Sequence, residues 1–146
     1  MERTWKASVV VLSVLLTCSV VAAQSTEMDR PTQLTSRDTS AEWGPQPTVH
    51  YYTFEAGPGE FSILMAVRPS AGCTFGILDA NYKQVGGETI WASSGEEQKI
   101  DRFTLKKKDK IVLKVGCEQW GPTNNRTNNY HFRLSGVVDL PETSNK

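Results

Sequence analysis

An excess of charge of either sign is missing from this sequence. Its 146 residues include 16 Lys or Arg and 16 Asp or Glu, so the formal net charge is zero. Proteins that hold nucleic acid or an anionic membrane through charge carry a basic excess. The balance therefore argues against both as electrostatic partners, and we predict no nucleic-acid binding. The one dense basic run, LKKKDK from Leu105 to Lys110, is interpreted as a solvated turn between strands.

Residues suited to catalysis or metal binding are also scarce. The chain has two histidines, His50 and His131, and the sequence shows no close Cys or His pairs at zinc-ligand spacing. Glu96 and Glu97 are adjacent in a predicted loop, and AGPGE lacks the following helix that a phosphate-binding loop requires. A thiol dyad of His131 with Cys117 competes with a better use of that cysteine in a disulfide. We therefore predict no catalytic residues, no metal site and no enzyme activity.

Long apolar runs are confined to the N-terminus. Arg3 and Lys6 precede ASVVVLSVLLTCSVVAA, which ends in the small residues that a signal peptidase recognises. This pattern predicts a signal peptide over residues 1–23, cleaved after Ala23, and hence a secreted or periplasmic protein without a stable membrane span. A retained anchor is disfavoured because the run is short and contains polar residues. Lipid attachment at Cys18 is kept as an alternative.

Helical spacing is absent, and the dominant pattern has period two. Residues 24–48 are polar and proline-rich and predict a flexible leader. After them, HYYTFEAGPGEFSILMAV predicts two strands joined by a hairpin turn at Ala56–Gly59, because apolar residues alternate on both sides of a glycine-proline signal. Further predicted strands are Cys73–Asp79, Gln84–Ala92, Gln98–Leu105, Lys110–Gly116 and Asn128–Gly136. About seven short strands in about a hundred residues indicate an all-β, antiparallel β-sandwich. We assign it to residues 49–138, followed by a tail over residues 139–146.

Cysteine is rare, and the two cysteines after the signal peptide form a natural pair. If each strand reverses direction from the last, Cys73 begins one strand and Cys117 ends another at the same end of the sandwich. An even number of cysteines in an exported chain favours a disulfide, since that compartment is oxidising. We therefore predict a Cys73–Cys117 bridge.

Four segments resemble successive strands of the bacterial pre-peptidase C-terminal (PPC) domain. They are YYTFEAGPGEFSILMAV, FGILDANYKQV, IDRFTLKKKDKIVLKV and NYHFRLSG, and the resemblance covers residues 49–136. The resemblance implies a jelly-roll-like sandwich of seven to eight strands that acts as a non-catalytic appendage of secreted hydrolases or alone. Some relatives bind polysaccharide or collagen, and some bind calcium. Calcium is weakly supported here, because Glu27, Asp29, Asp38 and Glu42 are scattered and the turn offers only Asp79 with Asn81.

Aromatic residues and amides at one end of the sandwich suggest a ligand. Trp91 ends a predicted strand, and Trp120 lies in the long loop that also carries Asn124, Asn125 and Arg126. Sugar-binding surfaces combine an aromatic ring with amide and guanidinium groups. These five residues are the candidate ligand-binding site, and an extracytoplasmic polysaccharide or protein is the expected partner. The competing interpretation, which the pattern favours, has both tryptophans capping the core and the asparagines forming loop turns.

A second surface supports a different function. Leu64, Ala66, Gly76 and Leu78 have outward parity in their predicted strands, and they form a small apolar patch if those strands pair. Such a patch suits a structural or accessory subunit that engages a protein partner through a sheet face. An equal alternative is that the leader, which contains Trp43, covers the patch. The sequence thus predicts a binding module, with this subunit as the alternative.

Overall fold

A computed structural model describes residues 24–43, 48–69, 71–119 and 128–142. The described part of the chain is all-β: it contains strands and no helix. Alternating apolar and polar residues favour strands, because successive side chains of a strand point to opposite faces. This confirms the predicted fold class. The strands are β1 (Thr32–Gln33), β2 (Asp38–Trp43), β3 (Thr48–Val67), β4 (Ala71–Leu78), β5 (Gln84–Ala92), β6 (Glu97–Leu105), β7 (Asp109–Gln119) and β8 (Asn128–Asp139).

The strands form one sheet that folds into two layers of a sandwich. The first half of β3 pairs with β7, which is followed by β4 and then β5; these strands are layer A. The second half of β3 pairs with β6 on one side and β8 on the other, and β2 lies beyond β8; these strands are layer B. All of these pairings are antiparallel, and only the two-residue β1 runs parallel to β3.

Strand β3 belongs to both layers because it folds back on itself. Its start, Thr48, lies opposite Cys117, while its end, Val67, is only four residues from the start of β4 beside the same cysteine. A straight strand of 20 residues would separate its ends by about 60 Å. The reversal falls where the register shifts, between Ala56 and Phe61.

The predicted hairpin at Ala56–Gly59 is therefore wrong in one respect. The chain does reverse there, and Gly57 and Gly59 take positive φ values of 87° and 121° that glycine tolerates. However, the flanking segments pair with other strands rather than with each other. The glycine-proline signal marks a corner between layers instead of a hairpin turn within one layer.

The core fills the space between the layers. The inner faces predicted for two strands are buried, namely Ile111, Leu113 and Val115 on β7 and Tyr130, Phe132 and Leu134 on β8. Ring contacts join the layers, for example Phe75 of β4 with Tyr130 of β8 at 6.0 Å between centroids. Edge-to-face contacts of this kind add to the apolar burial that stabilises the sandwich.

The predicted disulfide is present. Cys73 and Cys117 lie directly opposite each other on β4 and β7, with 4.1 Å between their Cα atoms, and both are buried. The C-terminal ends of β3, β5 and β7 lie at this end of the sandwich, which we call the disulfide end. The strand count that placed the two cysteines at one level was correct.

The leader prediction is wrong for part of residues 24–48. Asp38–Trp43 forms β2 along β8, Thr32–Gln33 forms β1 along β3, and Ser25 accepts a hydrogen bond from the Tyr51 amide. Pairing with strands distant in the sequence compensates for the missing periodicity. The predicted signal peptide, its cleavage site and Cys18 lie outside the described residues, as do residues 143–146 of the predicted tail.

Candidate functional site

One of the five candidate ligand-binding residues is described by the structure. Trp91 lies at the end of β5, at the disulfide end. The other four, Trp120, Asn124, Asn125 and Arg126, come between β7 and β8 in the sequence and lie outside the described residues. The geometry of the candidate site therefore rests on Trp91 and its surroundings.

Trp91 packs on the outer face of layer A rather than capping the core. It lies opposite Gly72 of β4, and a Cβ placed on Gly72 would be 2.1 Å from Cε3 and Cζ3 of the indole. The ring thus occupies the space that a side chain at position 72 would need. The part of the indole that lies against Gly72 is covered, and 48% of the Trp91 residue is exposed. The interpretation of Trp91 as a core cap is wrong, because the residue lies on the outer face of the layer and is partly exposed.

A groove begins beside this ring. It is an open cavity of about 410 Å³ along the outer face of β4 and β7. Gly72 and Gly76 on β4 and Gly116 on β7 contribute no side chains to its floor. Outward positions in a sheet normally carry side chains at every second residue, so these glycines create the depression. We call it the glycine groove.

Polar groups surround the glycine groove. Lys114 and Glu118 project from β7, both exposed, and Gln84 lines its far end. The hydroxyl groups of Thr74 and Thr89 lie 3.1 Å apart on the outer face. Within the described ranges, no ion pair or hydrogen bond involves the side chain of Lys114 or Glu118. The groove therefore combines one aromatic ring with polar side chains, of which one is positively charged and one is negatively charged.

The two histidines occupy different environments. His50 is 7% exposed, and its Nδ1 lies 2.6 Å from the Tyr130 hydroxyl, which lies 2.6 Å from the Tyr52 hydroxyl. Burial lowers the pKa of His50, raises the pKa of Tyr52 to about 12 and raises that of Tyr130 further. The three side chains form a buried hydrogen-bonded chain between the layers. His131 is partly exposed on β8, and Cys117 is held in the disulfide, so the alternative thiol dyad has no free thiol.

Three of the five acidic residues considered for calcium have other partners. Asp79 accepts hydrogen bonds from the amides of Asn81 and Lys83 in the β4–β5 turn, at 2.8 and 3.0 Å. Glu27 pairs with Arg30, and Asp38 pairs with Arg133. No group of three or more potential metal-ligating side chains occurs in the part of the chain that the structure describes.

A second open cavity of about 480 Å³ lies near Glu55, Lys110 and Asp139. Its two carboxylates both pair with Lys108, at 2.7 and 2.5 Å. The aromatic residue at its edge, Phe54, is fully buried. This cavity has no exposed ring and its charges are internally balanced, so the glycine groove is the stronger candidate site.

The predicted apolar patch does not form. Leu64 and Ala66 belong to the half of β3 in layer B, whereas Gly76 and Leu78 belong to β4 in layer A. These strands do not pair, and the two pairs of residues lie on opposite outer faces. Ala66 and Leu78 are also buried. The patch prediction failed because it assumed that strands adjacent in the sequence are adjacent in the sheet.

Sequence reasoning missed most of the groove. Gly72 and Gly76 lie in β4 and Gly116 lies in β7, with 30 residues between the two strands, and only the register of the two strands brings them together. Glycine inside a strand weakens it and often marks a close approach by a ligand or another chain. That signal was present in the sequence. Lys114 and Glu118 had no distinguishing signal, since exposed charges are common in strands.

No protein-family model matches the chain, and no curated protein is significantly similar to it. The described residues contain no helix that is long and apolar enough to cross a membrane.

Proposed function

We propose that this protein is an exported, non-catalytic binding module that holds polysaccharide in the glycine groove. The observation that carries the proposal is Trp91, whose indole packs on Gly72 and keeps nearly half of its surface exposed at the head of the groove. A sugar ring has an apolar face that stacks on an aromatic ring and hydroxyl groups that require donors and acceptors. The groove supplies both kinds of contact.

The rest of the molecule supports a rigid module. The Cys73–Cys117 bridge cross-links the two strands that form the floor of the groove. A disulfide is compatible with an extracytoplasmic location, which agrees with the predicted signal peptide. The PPC-like sequence pattern is a further reason to expect a secreted appendage that binds a surface or a polymer.

The test is titration of the exported protein with a panel of soluble polysaccharides. The full chain is expressed with its own N-terminus, and the exported product is purified and weighed by mass spectrometry. Intrinsic fluorescence with iodide quenching then reports the exposure of tryptophan, and calorimetry reports binding. We expect a polysaccharide to protect Trp91 from iodide, and the W91F variant to lose that protected fraction of the signal.

Two variants test whether binding depends on the Trp91 site or on any exposed aromatic residue. Gly72→Ala places a methyl group where the indole lies, so it displaces the ring and lowers affinity although Trp91 is still present. Tyr82→Asn removes another exposed aromatic residue, in the β4–β5 turn at the far end of the sandwich, and should leave affinity unchanged. Asn is chosen because Tyr82 has φ = 61°, which asparagine tolerates.

If no polysaccharide binds or protects Trp91, the sugar-binding proposal is wrong. The alternative, a structural or accessory subunit that engages a protein, would then be pursued. Its originally predicted face is excluded by the positions of Leu64 and Leu78.

A further inference from the structure

We propose that the glycine groove selects an acidic saccharide, in which an anionic group on one sugar binds Lys114 while a neighbouring sugar stacks on Trp91. This inference rests on the proposed function and names the ligand class for the same site. The shared chemistry is an anionic substituent, either the carboxylate of a uronic acid or a sulfate ester.

The position of Lys114 makes its ammonium group available to a ligand in the groove. Lys114 lies on β7, with Tyr51 of β3 opposite it on one side and Gly76 of β4 on the other. Its Cβ would be only 3.7 Å from a Cβ built on Gly76, so both positions face outward at the same level. Since Gly76 has no side chain, the β4 side of Lys114 opens into the groove.

The charge of Lys114 is not neutralised by the protein in the described ranges. No carboxylate there lies within 4.0 Å of its Nζ, whereas Lys99 pairs with Glu88 at 3.0 Å and Lys108 pairs with two carboxylates. A cation on the wall of a partly enclosed groove attracts an anionic ligand group, and a charge-assisted hydrogen bond to that group is stronger than a neutral one.

A carboxylate at the other end of the groove sets the orientation of the ligand. Glu118 lies opposite Gly72, at the level of the Trp91 ring, four residues along β7 from Lys114. An ionised carboxylate accepts hydrogen bonds from hydroxyl groups and repels anions. The Trp91 end therefore suits a sugar that presents hydroxyl groups, and the anionic group lies toward Lys114.

The spacing sets a minimum length for the ligand. Four residues of strand span about 13 Å, so the Trp91 ring and the backbone of Lys114 lie too far apart for one sugar ring to contact both along the groove. At least two linked sugars are needed, and a free monosaccharide should bind weakly.

The test compares ligands that differ only in charge. The exported protein is titrated by calorimetry with trigalacturonate and with its fully methyl-esterified form. Dextran sulfate oligosaccharides and unsulfated dextran oligosaccharides of the same length provide the corresponding pair for sulfate. We expect the wild type to bind the charged member of at least one pair about tenfold more tightly at low salt, with the difference shrinking as salt is added.

Variants assign the selectivity to Lys114. K114Q should reduce affinity for the charged ligand to that for its neutral counterpart, while K114R keeps the preference. K106Q removes an exposed lysine of the β6–β7 turn at the far end of the sandwich and controls for general charge. Trp91→Ala should weaken the charged and neutral ligands together. Thermal unfolding confirms that each variant is folded.

The outcomes distinguish the two proposals. If wild type binds both members of each pair equally, or if K114Q keeps the preference for charge, the inference about Lys114 is wrong while the polysaccharide groove stands. If wild type binds none of the four ligands, the inference is overturned; if the wider polysaccharide panel also fails to protect Trp91, the proposed function fails with it. Preference within the sulfate pair alone identifies a sulfated saccharide, and preference within the uronate pair identifies a carboxylate.

Discussion

Reduction of the Cys73–Cys117 disulfide should remove a large part of the stability of this sandwich. The cysteines are separated by 44 positions in the sequence. In the chain-entropy model, cross-linking a loop of that length lowers the entropy of the unfolded chain by about 13 cal/mol/K, which corresponds to about 4 kcal/mol at 25 °C. Domains of this size are stable by about 5–15 kcal/mol in total, so reduction should remove from about a quarter to about four fifths of the free energy of unfolding.

The assay is urea denaturation of the exported protein before and after reduction. Reduction is preferred to mutation as the main perturbation because it leaves both sulfur atoms in the buried positions they occupy. The unfolding midpoint should fall, and the denaturant slope should rise because the unfolded chain expands when the cross-link is removed. The Cys73→Ala/Cys117→Ala variant should lose at least as much, since truncation also leaves small cavities in the core.

A contrary result has a clear form. If reduction lowers the free energy of unfolding by less than about 1 kcal/mol, the cross-link does not constrain the unfolded chain as this entropy argument requires. Thiol titration of the denatured, unreduced protein provides the control, because it should detect no free thiol from either residue. Detection of two thiols would show that the bridge is absent from the exported protein.

Other predictions concern the buried hydrogen-bonded chain and the groove floor. Because burial lowers the pKa of His50 below 6.5, the unfolded state takes up a proton first as pH falls, so stability is full above pH 6.5 and declines below it. His50 alone can lower the free energy of unfolding by up to about 1.4 kcal/mol for each unit that the pH falls. Urea denaturation of the His50→Gln variant across pH 4–8 should therefore show a smaller loss of stability at low pH than the wild type shows. Tyr130→Phe removes the hydroxyl between His50 and Tyr52 and should cost about 1–3 kcal/mol, more than Tyr52→Phe, which removes only an end of the chain; equal losses in urea denaturation would contradict this. Gly116→Thr has room for its Cβ, 3.5 Å from Val49 Cγ2, so it should keep or raise stability by up to about 1 kcal/mol while weakening polysaccharide binding by filling the groove; unchanged affinity by calorimetry would place the ligand elsewhere.

The sequence predicted those parts of the fold that depend on local pattern. Alternation along β7 and β8 identified their buried faces, and strand parity placed Cys73 beside Cys117 because each reversal of the chain changes ends whichever layer it enters. Pairing between distant segments was not predictable in the same way. Strand β2 has no periodicity of its own and forms because β8 offers it a partner edge.

The candidate site shows the same division. Trp91 was identified from its residue type and its place at the disulfide end, which are both local facts. Its packing on Gly72 and the groove beyond it depend on the register of three strands. The failed apolar patch of Leu64 and Leu78 is the converse case. Its logic was sound for a hairpin of two consecutive strands, but β4 pairs with β7 in layer A instead of with the second half of β3 in layer B.

That corner in β3 also determines how the molecule comes apart. In many sandwiches, each strand belongs to one layer, and the interface between layers is a plane along which they can separate. Here a single backbone run donates and accepts hydrogen bonds in both layers, from Thr48 to Val67. Opening either layer therefore breaks hydrogen bonds of β3, the strand that also pairs in the other layer. The protein should melt as one cooperative unit, with amide protons on both halves of β3 exchanging at the rate of global unfolding.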